Sequence, residues 1–281
     1  PHTYHLADTA EKRAALIALL KAQTSICFDT ETTGLDANNA ELVGLSFAIK
    51  PGEAWYVPVP EDQAKCNEIV QEFKSVLEDE KIRKIGQNLK YDILILKWYC
   101  IEVKGELFDT MLAHYLIDPD TRHNMDILSE NYLRYSPVSI TTLIGAKGKA
   151  QGTMRDVEIE QIKDYAAEDA DITLQLKEVF EPMLQKAGAA KLAMDIENPL
   201  IYVLAEMESE GVRIDQNALK DFSIQLQNDI IGLEKTIYEK AGVRFNIASP
   251  KQLGEVLFDK LQLDPKAKKT KTGQYQTGED V

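Results

Sequence analysis

The sequence predicts a mixed α/β domain followed by an all-helical segment. Three observations carry this reading. Short apolar and β-branched stretches, punctuated by Gly34 and Pro51-Gly52, crowd residues 24–60. Beyond residue 69, apolar residues recur at helical spacing, interrupted by one more strand-like run at 82–85. From Asp195 onward only helical periodicity remains. Strands first, then strand and helix mixed, then helices alone gives a sheet with helices packed on it and a helical continuation.

Residues 25–29 form a short apolar strand, 42–49 a longer one, and 54–59 a third rich in aromatic and β-branched residues. Ile69, Phe73, Val76 and Leu77 share a helical face. After the strand at 82–85, Asn88 is placed to cap a helix beginning at Leu89. Asp109 is the expected N-cap of a helix over 110–117, and another helix is expected over 126–135. Pro137, Gly145, Gly148 and Gly152 make 135–155 read as a loop. A long helix follows over 158–185. Ile196, Leu200, Val203, Leu204 and Met207 form the next stripe, closed by Gly211. Asp215 opens a helix ending near Gly242, and Ser249-Pro250 opens one more. The expected division is residues 1–187 and 188–281.

Composition narrows the function. Of 281 residues, 44% are hydrophobic and 28% charged, a globular balance. No apolar run approaches the roughly 18 residues of a membrane span. Cys27, Cys66 and Cys100 are far apart, which argues against a disulfide framework or a zinc site and suggests a reducing cytoplasm. Thirty-two basic against 46 acidic residues leave a net charge of −14, the wrong sign for a broad grip on duplex phosphates. The start at Pro1-His2-Thr3-Tyr4 and the stop at Val281 read as cuts inside a longer protein.

Several acids fall on faces that should be buried. Strand alternation puts Asp29 and Glu31 on one side, about 7 Å apart along the strand. Asp92 lies on the Leu89–Ile93–Leu96 stripe. Asp169 shares a face with Ile162, Tyr165, Ile172, Leu176 and Val179, whereas Asp164, Glu168 and Asp171 point elsewhere and are expected in solvent. A lone buried charge is costly, and no base occupies these stripes. Converging carboxylates without bases repel and raise each other's pKa, which oxygen-seeking divalent cations resolve. Individually, Asp29 also suits a turn cap, Asp92 the first turn of a helix, and Asp169 a half-exposed position.

The motifs add a resemblance. Phe28-Asp29-Thr30-Glu31-Thr32, Gly86-Gln87-Asn88-Leu89-Lys90-Tyr91-Asp92 and Tyr165-Ala166-Ala167-Glu168-Asp169 resemble, in order, the three proofreading motifs of the bacterial DNA polymerase I family (family A). Phe245-Asn246-Ile247 and Lys251-Gln252-Leu253 resemble the start of that family's polymerase thumb. The resemblance implies an RNase H-like (DnaQ-like) α/β fold with a mixed five-stranded sheet, and a 3′–5′ exonuclease joined to a truncated thumb base. It implies two divalent ions, Mg²⁺ with Mn²⁺ or Zn²⁺ as alternatives, held by Asp29, Glu31, Asp92 and Asp169. One would be shared by Asp29, Glu31 and Asp169, the other by Asp29 and Asp92. Tyr165 would orient the attacking water. Leu35, Gln87, Asn88, Tyr91 and Arg122 would meet the 3′ end of single-stranded or frayed DNA. Ile140-Thr141-Thr142 departs from relatives that carry an aromatic there. The implied partners are DNA and the remainder of a polymerase chain, in a monomer of the bacterial cytoplasm without membrane contact. Two rival readings share these residues: a ribonuclease D-type RNA exonuclease, and a non-catalytic DNA-binding scaffold.

Overall fold

Strand β2 (Ser25–Thr32) carries the first two acids and lies inside a six-stranded mixed sheet in a computed structural model describing residues 2–146, 148 and 151–278. Its neighbours are β3 (Leu42–Lys50), antiparallel, and β5 (Arg83–Gly86), parallel. Beyond β3 come β4 (Glu53–Pro58) and β1 (Thr3–Leu6), and beyond β5 comes β6 (Leu107–Asp109). The sheet thus has one strand more than the five expected. β1, too short for its alternation to register in the sequence, adds to the edge parallel to β4, pairing Thr3 with Glu53 and Leu6 with Tyr56.

Alternation along β2 separates two helical layers. Ile26 and Phe28 enter a core with Leu89, Ile93 and Leu96 of α4 (Leu89–Trp98). Cys27 enters a second core with Ala167, Ala170 and Leu174 of α8 (Ile159–Lys186). The first core also takes Leu16 and Leu20 of α1 (Ala10–Lys21), Val70 of α2 (Gln63–Glu72), and Val76 and Leu77 of α3 (Lys74–Leu77). Helix α1, not assigned from sequence, buries Arg13 against Glu72 through two bonds of 2.8 and 2.9 Å.

Helix α5 (Thr110–Ile117) starts at Asp109 as expected. The expected helix over 126–135 is instead α6 (Met125–Leu128) running into a π-turn over Ser129–Leu133. The expected loop over 135–155 contains α7 (Ile140–Ile144), N-capped by Ser139, and a 3₁₀ turn over Met154–Asp156. Three residues of that stretch, Lys147, Lys149 and Ala150, lie outside the described residues. Glycine spacing hid α7 because the helix is only five residues long, between Pro137 and Gly145.

The chain divides into the units Pro1–Gly211 and Val212–Val281, later than the expected 187/188 boundary. The helices α9 (Ala190–Leu192) and α10 (Asn198–Glu210) belong to the first unit. Ile201 and Ala205 of α10 are buried there, and Asn198 and Tyr202 donate to the Leu107 and Gly105 carbonyls at 2.9 Å. The second unit holds α11 (Gln216–Ala241), capped by Asp215, and α12 (Pro250–Gly254), capped by Ser249. No helix among the described residues is long and apolar enough to cross a membrane.

One carboxylate organises two helix starts. Asp109, 2% exposed, accepts from the Met111 and Leu112 amides of α5 at 2.8 and 3.2 Å. It also accepts from the Asn88 and Leu89 amides opening α4, at 3.2 and 2.7 Å. Asn88 occupies the N-cap position of α4 but makes no side-chain capping bond, contrary to expectation. Its backbone is left-handed (φ 64°), a conformation asparagine tolerates, and Asp109 supplies the acceptor instead. Asp109→Ala removes the cap of two helices and should cost roughly 2–4 kcal/mol in urea unfolding. A loss below about 1 kcal/mol would show that water replaces the carboxylate.

Candidate active site

The acids gather at the carboxyl-terminal end of β2, where an α/β sheet opens a crevice. Strand parity puts Asp29 and Glu31 on the face covered by α8, which presents Asp169. Carboxylate oxygens of these three lie within 4.8 Å of one another. Glu31 is opposite Gly44 of β3, and the β2–β3 register shifts directly after Glu31, before the last pair, Thr32 with Leu42. Gly44 is required there, since a Cβ would meet the Tyr56 ring at 2.3 Å.

Burial pushes the Asp29 carboxyl up to about 7. Glu31 is raised by burial and by Asp29, and Asp169 by burial, Glu31 and Asp29. Among the described residues no base offsets this repulsion. Glu31 Oε1 is buried without a hydrogen-bond partner among the described residues. An orphaned buried carboxylate oxygen within reach of two further carboxylates fits a divalent cation with all-oxygen ligation.

Asp92 is buried near this cluster but outside it. It sits on α4, on the other side of the strand, where Thr30 points. Thr30 donates to Asp92 Oδ1 from its backbone amide at 3.1 Å and from its hydroxyl at 2.6 Å. Burial and the Asp29 charge raise the Asp92 carboxyl, so the two acids interact across the strand.

Tyr165 lies one helical turn before Asp169, beside the acids. Burial, then Asp169, Glu31 and Asp29, raise its hydroxyl far above the usual phenol range. It remains a neutral donor, not a base. Asp29, Glu31, Asp169 and Tyr165 line a cavity of about 430 Å³, within the size of small-ligand sites.

The residues expected to contact substrate divide. Leu35, 93% exposed, Asn88 and Tyr91 line the same cavity. Tyr91 is braced by its hydroxyl against Thr32 at 2.6 Å and against the Gly34 carbonyl. Gln87 is engaged internally: its amide donates to the His123 carbonyl at 2.8 Å and accepts from the Thr110 hydroxyl. Arg122 is exposed beside that segment and does not line the cavity. Sequence reasoning did not assign the part of the lining formed by Ile140, Ile144 and 151–154. It also placed Glu168 and Asp171 in solvent, whereas both are buried, at 4% and 3% exposure. Asp171 accepts from Tyr4, Gly52 and Gln175, so strand β1 and the β3–β4 turn cover a position that helical periodicity alone leaves open.

Residues 4–185 match the family model described as 3′-5′ exonuclease. The chain belongs to this exonuclease family. Residues 216–281 match the model for DNA polymerase family A. DNA polymerase I of Pseudomonas aeruginosa is 43% identical over 278 residues, 95% of this chain and 30% of that protein. The chain therefore spans under a third of the length of this curated relative. Among solved structures, the POL domain of Pol1 from M. smegmatis, in complex with DNA primer-template and dNTP, is similar at a TM-score of 0.74. It is 26% identical, and the match covers 98% of this chain and 44% of that one. Brucella melitensis NrnC with bound Mg²⁺ shares the fold at a TM-score of 0.57 and 22% identity, over 74% of this chain and 92% of that one. The first unit is thus a 3′–5′ exonuclease domain of the kind found in bacterial DNA polymerase I.

The raised carboxyls fix a pH dependence. Asp29, Glu31 and Asp169 hold protons in the folded protein that they release in the unfolded chain, so their contribution to the stability of the metal-free protein falls as pH rises from about 4 to 7. Melting in EDTA should show this, and divalent cation at 100 times its Kd should restore about 2.7 kcal/mol at pH 7. Asp29→Ala should flatten the pH slope and abolish the metal response. An unfolded Asp29→Ala protein in EDTA would make Asp29 a structural residue instead.

Proposed function

We propose that this chain hydrolyses the terminal phosphodiester at a DNA 3′ end, releasing nucleoside monophosphates. The observation that supports this most directly is the Asp29–Glu31–Asp169 cluster with its orphaned Glu31 oxygen, inside a domain of the 3′–5′ exonuclease family. Asp29, Glu31 and Asp169 would hold one divalent cation, and Asp29 with Asp92 a second, Mg²⁺ being the expected ion. Such cations lower the pKa of water and offset charge on the phosphate. Tyr165, protonated at every working pH, orients the attacking water by a hydrogen bond. Leu35, Asn88 and Tyr91 hold the last nucleotides; stacking on Tyr91 supplies binding that does not require a basic surface. Gln87 supports the 121–124 segment from inside and so sets the position of Arg122. Residues 216–281 correspond to the first part of a polymerase domain, and the remainder of such a chain is the expected partner.

The test is a 5′-labelled single strand resolved after incubation with Mg²⁺ or EDTA. A ladder shortening from the 3′ end only with Mg²⁺ is expected, with RNA of the same sequence cut more slowly and no primer extension when deoxynucleotides are added. Preference for RNA would favour the ribonuclease reading, and inertness toward both strands a scaffold.

Tyr165→Phe keeps the ring and removes the hydroxyl. Single-turnover cleavage should fall about tenfold to a thousandfold, roughly 1.4–4 kcal/mol of barrier, while stabilisation by metal is unchanged. Cleavage within twofold of the parent rate would leave Tyr165 a packing residue.

A further inference from the structure

The segment that lines the cavity together with Leu35 and Tyr91 is tied to the domain at both ends by charged side chains. At its end, the Arg155 guanidinium donates to the Val59 and Leu42 carbonyls, at 2.6 and 2.5 Å. Thr153 and Asp156 close a capping box beside it. At its start the tie is Glu168 of α8. This carboxylate accepts from the Val138 amide at 2.8 Å and from the Tyr135 hydroxyl. Between the ties, Ile140 and Ile144 of α7 face the cavity, and the Gly152 amide donates to the Ile144 carbonyl at 2.8 Å.

Glu168 directly precedes Asp169. Successive helical residues point about 100° apart, so Asp169 faces the acids while Glu168 faces the wall segment. Among the described residues Glu168 has no cationic partner, a costly state for a buried carboxylate, and both its oxygens are used on one short stretch of chain, 135–138. The same turn of α8 therefore sets the acid and the wall at a fixed separation.

We propose that Glu168 is a positioning residue for substrate, holding the Ile140–Ile144 wall so that a single strand is clamped against the Asp29–Glu31–Asp169 cluster. The inference rests on the exonuclease reading above. It places the effect of Glu168 on strand binding rather than on bond cleavage. The Tyr135 hydroxyl, pushed up to about 12 by its bond to Glu168, stays protonated and keeps donating through the neutral range.

The experiment is steady-state hydrolysis of a single-stranded oligodeoxythymidylate with Mg²⁺ by the full chain and its variants, with urea melts alongside. Glu168→Ala should raise KM about tenfold with kcat within about threefold, and Glu168→Gln, which keeps one acceptor, should raise it less. Tyr135→Phe alone should raise KM about threefold, and should add nothing in the Glu168→Ala background. If Glu168→Ala does not fold, Tyr135→Phe decides by itself. A fall in kcat at unchanged KM would mean that Glu168 acts through Asp169, and would overturn the proposal, as would unchanged KM for Tyr135→Phe. A parent chain with no Mg²⁺-dependent cleavage fails the exonuclease reading; a parent that cleaves, with KM indifferent to these variants, fails only this inference.

Discussion

Three carboxylates whose oxygens lie within 4.8 Å of one another, with only acids among the charges of the described residues acting on them, repel across a medium that screens poorly. The rest of the first unit can be read as the structure needed to hold them there. β2 supplies two of the acids from an inner strand, held at Asp29 and Glu31 by pairing with Ser46 and Gly44 of β3. α8 supplies the third from a helix of 28 residues packed across that sheet. A loop could not carry this arrangement, because repulsion would move it.

Two faces of one strand then divide the chemistry. Asp29 and Glu31 point toward α8, and Thr30 points toward α4. Asp92 is consequently held by Thr30, not by the cluster, and feels Asp29 only through its charge. Asp109 couples the same α4 to α5 by capping both, so the placement of Asn88, Tyr91 and Asp92 depends on a residue that does not itself line the cavity. The net charge of −14 also changes meaning. Glu31, Asp92, Asp109, Glu168, Asp169 and Asp171 are buried, so part of the acidity is internal and structural rather than a surface field.

Much of this was legible in the sequence because it follows from short-range geometry. Period-two alternation determined that Asp29 and Glu31 share a face, and period-3.6 spacing determined that Tyr165 and Asp169 do. The same rules gave the strands over Leu42–Lys50 and Glu53–Pro58 and the long helix α8. Asp109 was recognisable as a cap because capping is a local bond to amides two and three residues ahead. By itself, then, the sequence determined the faces of each element and the residue types able to bind a cation.

What only the tertiary structure decided is every property that depends on a neighbour distant in sequence. Asn88 and Asp109 are 21 residues apart, and nothing local shows that one caps where the other stands. Glu168 and Asp171 lie off the apolar stripe of α8, so periodicity sends them to solvent; strand β1, the Gly52 turn and the 135–138 segment arrive from elsewhere and bury them. β1 is four residues long and is a strand only because β4 offers it an edge. Gln87 was turned inward by Thr110 and His123. Face and period are properties of one element, fixed by backbone geometry. Burial, partner and distance belong to pairs of elements, and they exist only once the chain has closed on itself.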